Sequence, residues 1–314
     1  MMTKKKYVSR RSFIKGIGIV SVAMPWLPQT ILAQVDETEK KKGNFYRVLT
    51  CNIRVALPED EKKGYGWNTR KKICKEVIAA HSPDIICLQE VIRVQIEDLK
   101  KYFPGFSSFG FEGPSMDAYP EGYHWIAKNP ILFSKSRYKL TSAGSYWLSE
   151  TPLIAGSKSW NTARARQANW VRLKDRNTHK EFRVVNTHLD HLEQGAREKQ
   201  IELIIKESAQ YLTDFPQLLT GDFNSHIPNP IFETIKAGGW TDTFSAVHGD
   251  ADPGFTYHNF KGSQFVAQKK GYNKIDFIFT KGNLKSKDAK IIKDNINGVY
   301  PSDHYFVSAD LQIL

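Results

Sequence analysis

Carboxylates, amides and imidazoles stand where the apolar runs of this sequence stop. Asn52 closes "VLTCN" and Glu90 closes "IICLQE". His188 and Asp190 follow "RVVNT", while Asp222 and Asn224 follow "LLTG". Asp276 opens "DFIFT", and Asp303 and His304 precede "YFV". Each alone is an ordinary strand end or turn, since Gly, Asp, Asn and Ser are turn residues. As a set they define a chemistry. Ligands of open α/β structures sit beyond strand ends, where side chains from distant parts of the chain converge. A hard divalent cation such as Mg2+ takes oxygen ligands, commonly one or two carboxylates plus waters and a substrate phosphate. Glu90 and Asp303, with the Asn52 amide oxygen, make such a ligand set. Two histidines then remain to donate to anionic oxygens, and Asp222 remains as a base. In "GDFN" side chains alternate along extended chain, so Asp222 and Asn224 point one way and Phe223 the other, into a core.

The elements that must position these groups follow from apolar patterning. "FYRVLTCNI" (45–53) and "SPDIICLQEV" (82–91) read as strands, the second buried on both faces. Between them, residues 67–81 place Ile73, Val77 and Ala80 at helical spacing, with Asn68 or Thr69 as cap. A helix is expected near 94–102, closed by Pro104-Gly105. Residues 106–187 are strand-rich, with a hairpin turning at 174–181. Residues 195–212 form the clearest helix, with Ile201, Ile204, Ile205 and Ala209 on one face. A helix near 229–237 and strands at 275–280 and 304–313 complete the chain. With no internal repeat and no Gly/Ser linker, one mixed α/β domain is the economical reading.

The formal net charge is +12, but Lys4, Lys5, Lys6, Arg10, Arg11 and Lys15 contribute six of it with no acid among residues 1–33. That basic region, an apolar stretch from about Gly16 to Leu27 and a small residue at Ala33 form a secretory signal. The Arg10–Arg11 pair in "SRRSFIK" gives it twin-arginine character. Lys15, Pro25 and Pro28 leave the apolar core short of the roughly 20 residues of a spanning helix. The expected organisation is a signal over 1–33, a charged leader over 34–43, and one folded domain over 44–314, exported to the periplasm or medium without a transmembrane anchor. The remaining +6 suits a phosphorylated substrate without specifying nucleic acid. Cys51, Cys74 and Cys87 fall in a strand, a helix face and a strand, so they read as buried free thiols.

The motifs "TCNIR" (50–54), "IICLQEV" (85–91), "NTHLDH" (186–191), "GDFNS" (221–225), "IDFIF" (275–279) and "SDH" (302–304) occur in one order along the chain. In that order the chain resembles the endonuclease/exonuclease/phosphatase superfamily, the group of deoxyribonuclease I, abasic-site endonucleases, inositol polyphosphate 5-phosphatases and deadenylases. "YWLSETPLIAGSKSW" (146–160) followed by "ARQANW" is similar to a bacterial exported branch of it. The resemblance implies an α/β, deoxyribonuclease I-like four-layer sandwich, two packed mixed β-sheets flanked by helices. It implies Mg2+, or Mn2+, held chiefly by Glu90 with Asn52 and Asp303 around it. Asp222 would align or deprotonate the attacking water, and Asn224 would bind the phosphoryl oxygen or the nucleophile. His304, oriented by Asp276, would contact the phosphate. His188 would be a second phosphate ligand or acid, and Arg166 matches a phosphate-binding Arg. One departure stands out. Nuclease-like members carry a Glu paired to the histidine matching His188 shortly before the segment matching "NPILFSK", and here Ala127 or Lys128 occupies that neighbourhood. Glu121 and Asp190 are the replacement partners on offer.

The reaction expected from both lines is metal-assisted hydrolysis of a phosphodiester or phosphomonoester by activated water, with a secreted nuclease as one form of it. A hydrolase of a phospholipid, inositol phosphate or sugar phosphate is the alternative substrate reading. A non-catalytic binding protein of the same fold is the contrasting class, and it has no need of a base beside a metal. "FKGSQFVAQKKGYNK" (260–274) and "TRKK" (69–72) offer basic and aromatic groups to a nucleic acid, or are simply solvated faces. Trp125, Trp147 and Trp160 line a sugar or lipid pocket, or fill a core.

Overall fold

The computed structural model describes residues 45–112, 127–266 and 272–314. The expected signal and leader, Glu121 and Trp125 lie outside the described residues. Among the described residues twelve strands form two mixed sheets. In the first sheet the order is β11-β12-β1-β2-β4-β3, built from Leu284–Ile292, Phe306–Ile313, Phe45–Asn52, Ile85–Gln89, Ile131–Ser134 and Phe106–Phe109. In the second it is β5-β6-β7-β8-β10-β9, built from Tyr138–Trp147, Gln167–Asp175, Glu181–His188, Gln217–Asp222, Asp276–Lys281 and Thr241–Asp242. Each sheet has one parallel pair near its middle, β1 with β2 and β7 with β8.

Both faces of the central strands are apolar, which is why helices cover the outside. Inward residues such as Val48, Ile85 and Ile131 meet Leu173, Val184, Leu218 and Ile278 of the facing sheet. Outward residues Leu49, Cys51 and Leu88 are covered by Cys74, Val77 and Ile78 of α2 (Trp67–Ala80), which follows the short α1 (Pro58–Lys62), and by Ile96 and Leu99 of α3 (Arg93–Tyr102). On the other side Val185, Leu219 and Phe277 lie under Ile201 and Ile204 of α4 (Gln194–Ser208) and Ile231 and Ile235 of α5 (Pro230–Ala237). The result is the expected sandwich of helix, sheet, sheet and helix. All three cysteines are buried and free.

Three local expectations change. α2 is capped by Gly66, so Asn68 and Thr69 lie inside the helix. α4 ends at Ser208 rather than near 212, because residues 209–216 must turn the chain into β8. There Tyr211 stacks on Phe215 and Leu212 is left in solvent. β11, "LKSKDAKII", was not expected as a strand. It is an edge strand whose lysines point outward, a pattern that blocks pairing with another chain.

Towards one end of the sandwich the apolar filling gives way to a polar clasp. Gln89 Nε2 donates to Asn186 Oδ1 at 2.6 Å and to Thr50 Oγ1 at 3.0 Å. Asn186 Nδ2 donates to the Leu88 and Asn129 carbonyls at 2.8 and 3.1 Å. These buried amides tie the sheets together just beneath the strand ends that carry the chemistry. At the end of β8, Gly221 has φ 148°, and a Cβ there would collide with the Thr187 carbonyl of β7. Only glycine lets the two strands approach so closely. Gly221→Ala is therefore expected to lower unfolding free energy by at least ~2 kcal/mol, read by denaturant titration. A change under ~0.5 kcal/mol, the scale of a neutral surface substitution, would contradict the close-approach account.

Candidate active site

Strand register assembles the site. Asp222 at the end of β8 lies opposite His188 on parallel β7 and Asp276 on antiparallel β10, so three reactive groups share one edge of the second sheet. The first sheet contributes Asn52 and Glu90 from the ends of β1 and β2. Asp303 and His304 arrive just before β12, held by an antiparallel bridge between Tyr257 and His304. Arg54, Glu90 and Asn224 have φ of 55°, 63° and 47°. Left-handed backbone in non-glycine residues costs energy and concentrates at functional sites. Here it turns each side chain away from its strand into a shared cavity of about 360 Å³.

Phe223 points the other way, as alternation requires. It is fully buried and meets Phe277 and Phe279 edge-on at 5.5 and 5.2 Å. Asn224 Nδ2 lies 2.9 Å from His188 Nε2 and donates to the Leu189 carbonyl at 3.1 Å. Its backbone N–H donates to Asp222 Oδ1 at 2.8 Å.

The electrostatics separate the roles of the groups. Burial works against a charged His304, but Asp276, whose Oδ2 lies 2.9 Å from Nδ1, with Asp222 and Asp303, raises it to about 10. It stands in the cavity as an imidazolium. Burial, and then Asp276, raise the Asp222 carboxyl, moving it towards the range in which a general base works at neutral pH. Burial also opposes ionisation of Glu90, yet Arg54, the Val55 N–H and the His304 imidazolium outweigh it and keep the carboxyl low. His188 is pushed well below its ordinary value by burial and by Arg166, so it is a neutral ring. Its Nδ1 has no hydrogen-bond partner among the described residues. Asp190 is not its partner: that carboxylate accepts from Thr162 Oγ1 and from the Ala163, Leu192 and Glu193 N–H groups. Asp190 instead organises the loop that delivers Arg166.

Arg166 is buried, and its Nη2 lies 3.3 Å from His191 Nδ1. Among the described residues it has no carboxylate ion-pair partner. With Arg164 it brings positive charge to the cavity that Glu90, Asp222 and Asp303 also line, beside a His191 ring that burial and Arg166 keep low in pKa. A phosphate there would meet that positive charge.

A divalent cation fits the carboxylates. Glu90 and Asp303 are hard oxygen donors facing the cavity, which is the donor chemistry Mg2+ and Mn2+ require. Asn52 presents a different atom from the one expected. Its Oδ1 accepts from the Arg54 N–H at 3.0 Å, while its Nδ2 bridges Glu90 Oε1 and Asp222 Oδ2 at 3.2 and 3.0 Å. In this arrangement Asn52 spaces two carboxylates. Asp222, Asp276 and His304 also have ligand atoms within 4.8 Å of one another. A protonated imidazole has no lone pair to offer, however, so that trio suits proton work better than metal binding.

Several residues were missed from the sequence. Arg54, two residues after Asn52, binds Asp60 at 2.8 Å and approaches Asp303 at 3.6 Å. The i, i+2 spacing was the available signal. Arg70, in the basic run "TRKK", is buried and donates to the carbonyls of Ile53, Arg54, Tyr65 and Pro301. It staples the Glu90 side of the site to the segment carrying Asp303. The His258 and Asn259 N–H groups both donate to the Asp303 carbonyl, at 2.8 and 3.1 Å.

The sequence profile of the Endonuclease/Exonuclease/phosphatase family matches residues 49–304, so the chain belongs to that family. An endonuclease/exonuclease/phosphatase structure from Bacteroides vulgatus is 29% identical, with 86% of this chain and 99% of that one covered and a TM-score of 0.75. A mannosyl-6-phosphatase from Bacteroides thetaiotaomicron is 25% identical, covering 85% and 99%, also at 0.75. Nocturnin of Drosophila melanogaster is 26% identical over 87% of this chain, which spans 47% of that relative's length. No described helix is long and apolar enough to cross a membrane.

The raised His304 pKa is a linkage statement. Its contribution to stability is fully present below about 6.5 and is lost as pH rises through about 10. Imidazole NMR should show His304 doubly protonated at pH 8, and Asp276→Asn should bring its titration down by at least ~1 unit. A wild-type His304 titrating near 6.5 would refute the assignment.

Proposed function

We propose that the protein is a divalent-metal-dependent phosphoester hydrolase that cleaves by in-line attack of water. The observation that carries this is the pairing of Asp222 with the His304–Asp276 dyad, in one cavity with a buried Arg166 that has no carboxylate ion-pair partner among the described residues. When bound at Glu90 and Asp303, Mg2+ or Mn2+ supplies Lewis-acid charge to the phosphoryl oxygen.

The chain's own groups account for the rest. Asp222 takes the proton of the attacking water as the bond from water oxygen to phosphorus forms. Asn224, anchored on His188 and Leu189, positions the water or a phosphoryl oxygen. His304, held in orientation by Asp276, donates to the oxygen on which charge develops as the phosphorus–leaving-group bond breaks. Arg166 holds the phosphate. Positioning and charge neutralisation dominate phosphoryl transfer, so no Ser or Cys nucleophile is called for.

A second reading, a sugar-phosphate phosphatase, is supported by likeness to the Bacteroides thetaiotaomicron mannosyl-6-phosphatase. Export through a twin-arginine signal over residues 1–33 is also part of the proposal, resting on Arg10–Arg11 and the apolar stretch after them.

Asp222→Asn and His304→Gln should each lower kcat on bis(4-nitrophenyl) phosphate by at least ~100-fold, the scale of a general acid–base group. Chelator should abolish the wild-type rate. Near-wild-type turnover in both variants would sink the mechanism.

A further inference from the structure

Several arginines of this fold are spent on carboxylates. Arg47 pairs with Asp310, Arg54 with Asp60, Arg137 with Asp84 and Asp175, and Arg183 with Glu207. Arg166 is held differently. Its Nη2 lies 3.3 Å from His191 Nδ1, and among the described residues it has no carboxylate ion-pair partner. Both side chains line the catalytic cavity, Arg166 buried and His191 exposed.

The chemistry of that contact fixes the state of the ring. A guanidinium only donates, so His191 Nδ1 must accept and the ring proton must sit on Nε2. Burial and the Arg166 charge both lower the pKa of His191, which favours the neutral ring that the contact requires. A neutral acceptor fixes the direction of the guanidinium without cancelling its charge. A carboxylate in the same place would orient Arg166 equally well and neutralise it.

One residue ties together the two segments that meet here. Asp190 accepts from Thr162 Oγ1 and the Ala163 N–H at 2.6 and 2.9 Å, on the segment leading to Arg166. It also accepts from the Leu192 and Glu193 N–H groups at 2.9 and 2.8 Å, just past His191. α4 braces Asp190 in turn. Its Gln200 Oε1 accepts from the Asp190 N–H at 2.9 Å, and its Arg197 Nη1 donates to the Asp190 carbonyl at 3.0 Å. The backbone on both sides of the Arg166–His191 contact is therefore fixed before any substrate arrives, which is the preorganisation that anion binding rewards.

We propose that His191 is a positioning residue for Arg166: its Nδ1 lone pair aims the guanidinium at the substrate phosphate and leaves the full positive charge for it. The inference rests on the phosphoester-hydrolase reading and deepens it, giving a role to the residue that ends "NTHLDH".

Calorimetric titration of the protein with inorganic phosphate in excess Mg2+ tests this without turnover. His191→Leu should weaken binding by at least ~10-fold, the worth of one charge-assisted contact. His191→Asn has an amide oxygen the same number of bonds from the backbone as Nδ1, and it should bind within about 3-fold of wild type. On top of Arg166→Met, His191→Leu should cost less than about 2-fold more, because residues that act through one contact do not add. If His191→Leu does not fold, His191→Gln, whose acceptor stands one bond too far out, replaces it with the same expectation. Wild-type affinity in His191→Leu overturns the proposal, as does an Asn variant as weak as the Leu variant. Losses that multiply in the double variant also overturn it, since His191 would then touch the phosphate on its own account. A wild-type protein that binds no phosphate overturns it as well. A wild-type protein that shows this binding pattern but does not hydrolyse bis(4-nitrophenyl) phosphate overturns only the hydrolase reading.

Discussion

Four carboxylates, Glu90, Asp222, Asp276 and Asp303, are crowded at one end of a sandwich whose interior is otherwise apolar. Buried charge without compensation is expensive. The surrounding structure answers it group by group. Asp276 is spent on His304 and makes it a cation. Glu90 is held by Asn52 and the Val55 N–H beside Arg54, and Asp303 lies against the same guanidinium. Burial still raises both Asp222 and Asp303, Asp222 with Asp276 pressing on it as well. In the proposed mechanism Glu90 and Asp303 would hold the cation, while Asp222 and the His304–Asp276 pair move protons.

Holding these groups together requires a rigid frame. The Gln89–Asn186 clasp fixes one sheet against the other immediately below the site, so Asn52 and Asp222, from different sheets, stay within 3.0 Å. Arg70 and the 256–262 segment do the same for Asp303 and His304, which arrive from the end of the chain. The apolar layers supply the stability that the left-handed backbone at Arg54, Glu90 and Asn224 draws upon.

Much of this was legible because strand patterning is local. Runs such as "LLTGDFN" declare both the strand and the polar residues that end it, and the ordered motifs joined those ends into one site. Less legible were interactions set by tertiary position. Arg70 in "TRKK" has the composition of a solvated helix face, and only the approach of residues 53, 54 and 301 makes it a buried staple. The edge strand 284–292 hides behind its lysines. Asp190 sits one residue beyond the "NTHL" strand end, where it resembled a partner for His188, but four local donors claim its carboxylate first.

The central claim is that a divalent cation belongs to the Glu90 and Asp303 wall, leaving Asp222, Asp276 and His304 free to move protons. Anomalous scattering from crystals soaked in Mn2+ locates the ion directly. The account predicts a single strong peak within coordination distance of a Glu90 carboxylate oxygen, with the His304 to Asp276 contact retained. A peak bounded instead by Asp222, Asp276 and His304, or no peak at saturating Mn2+, would contradict it.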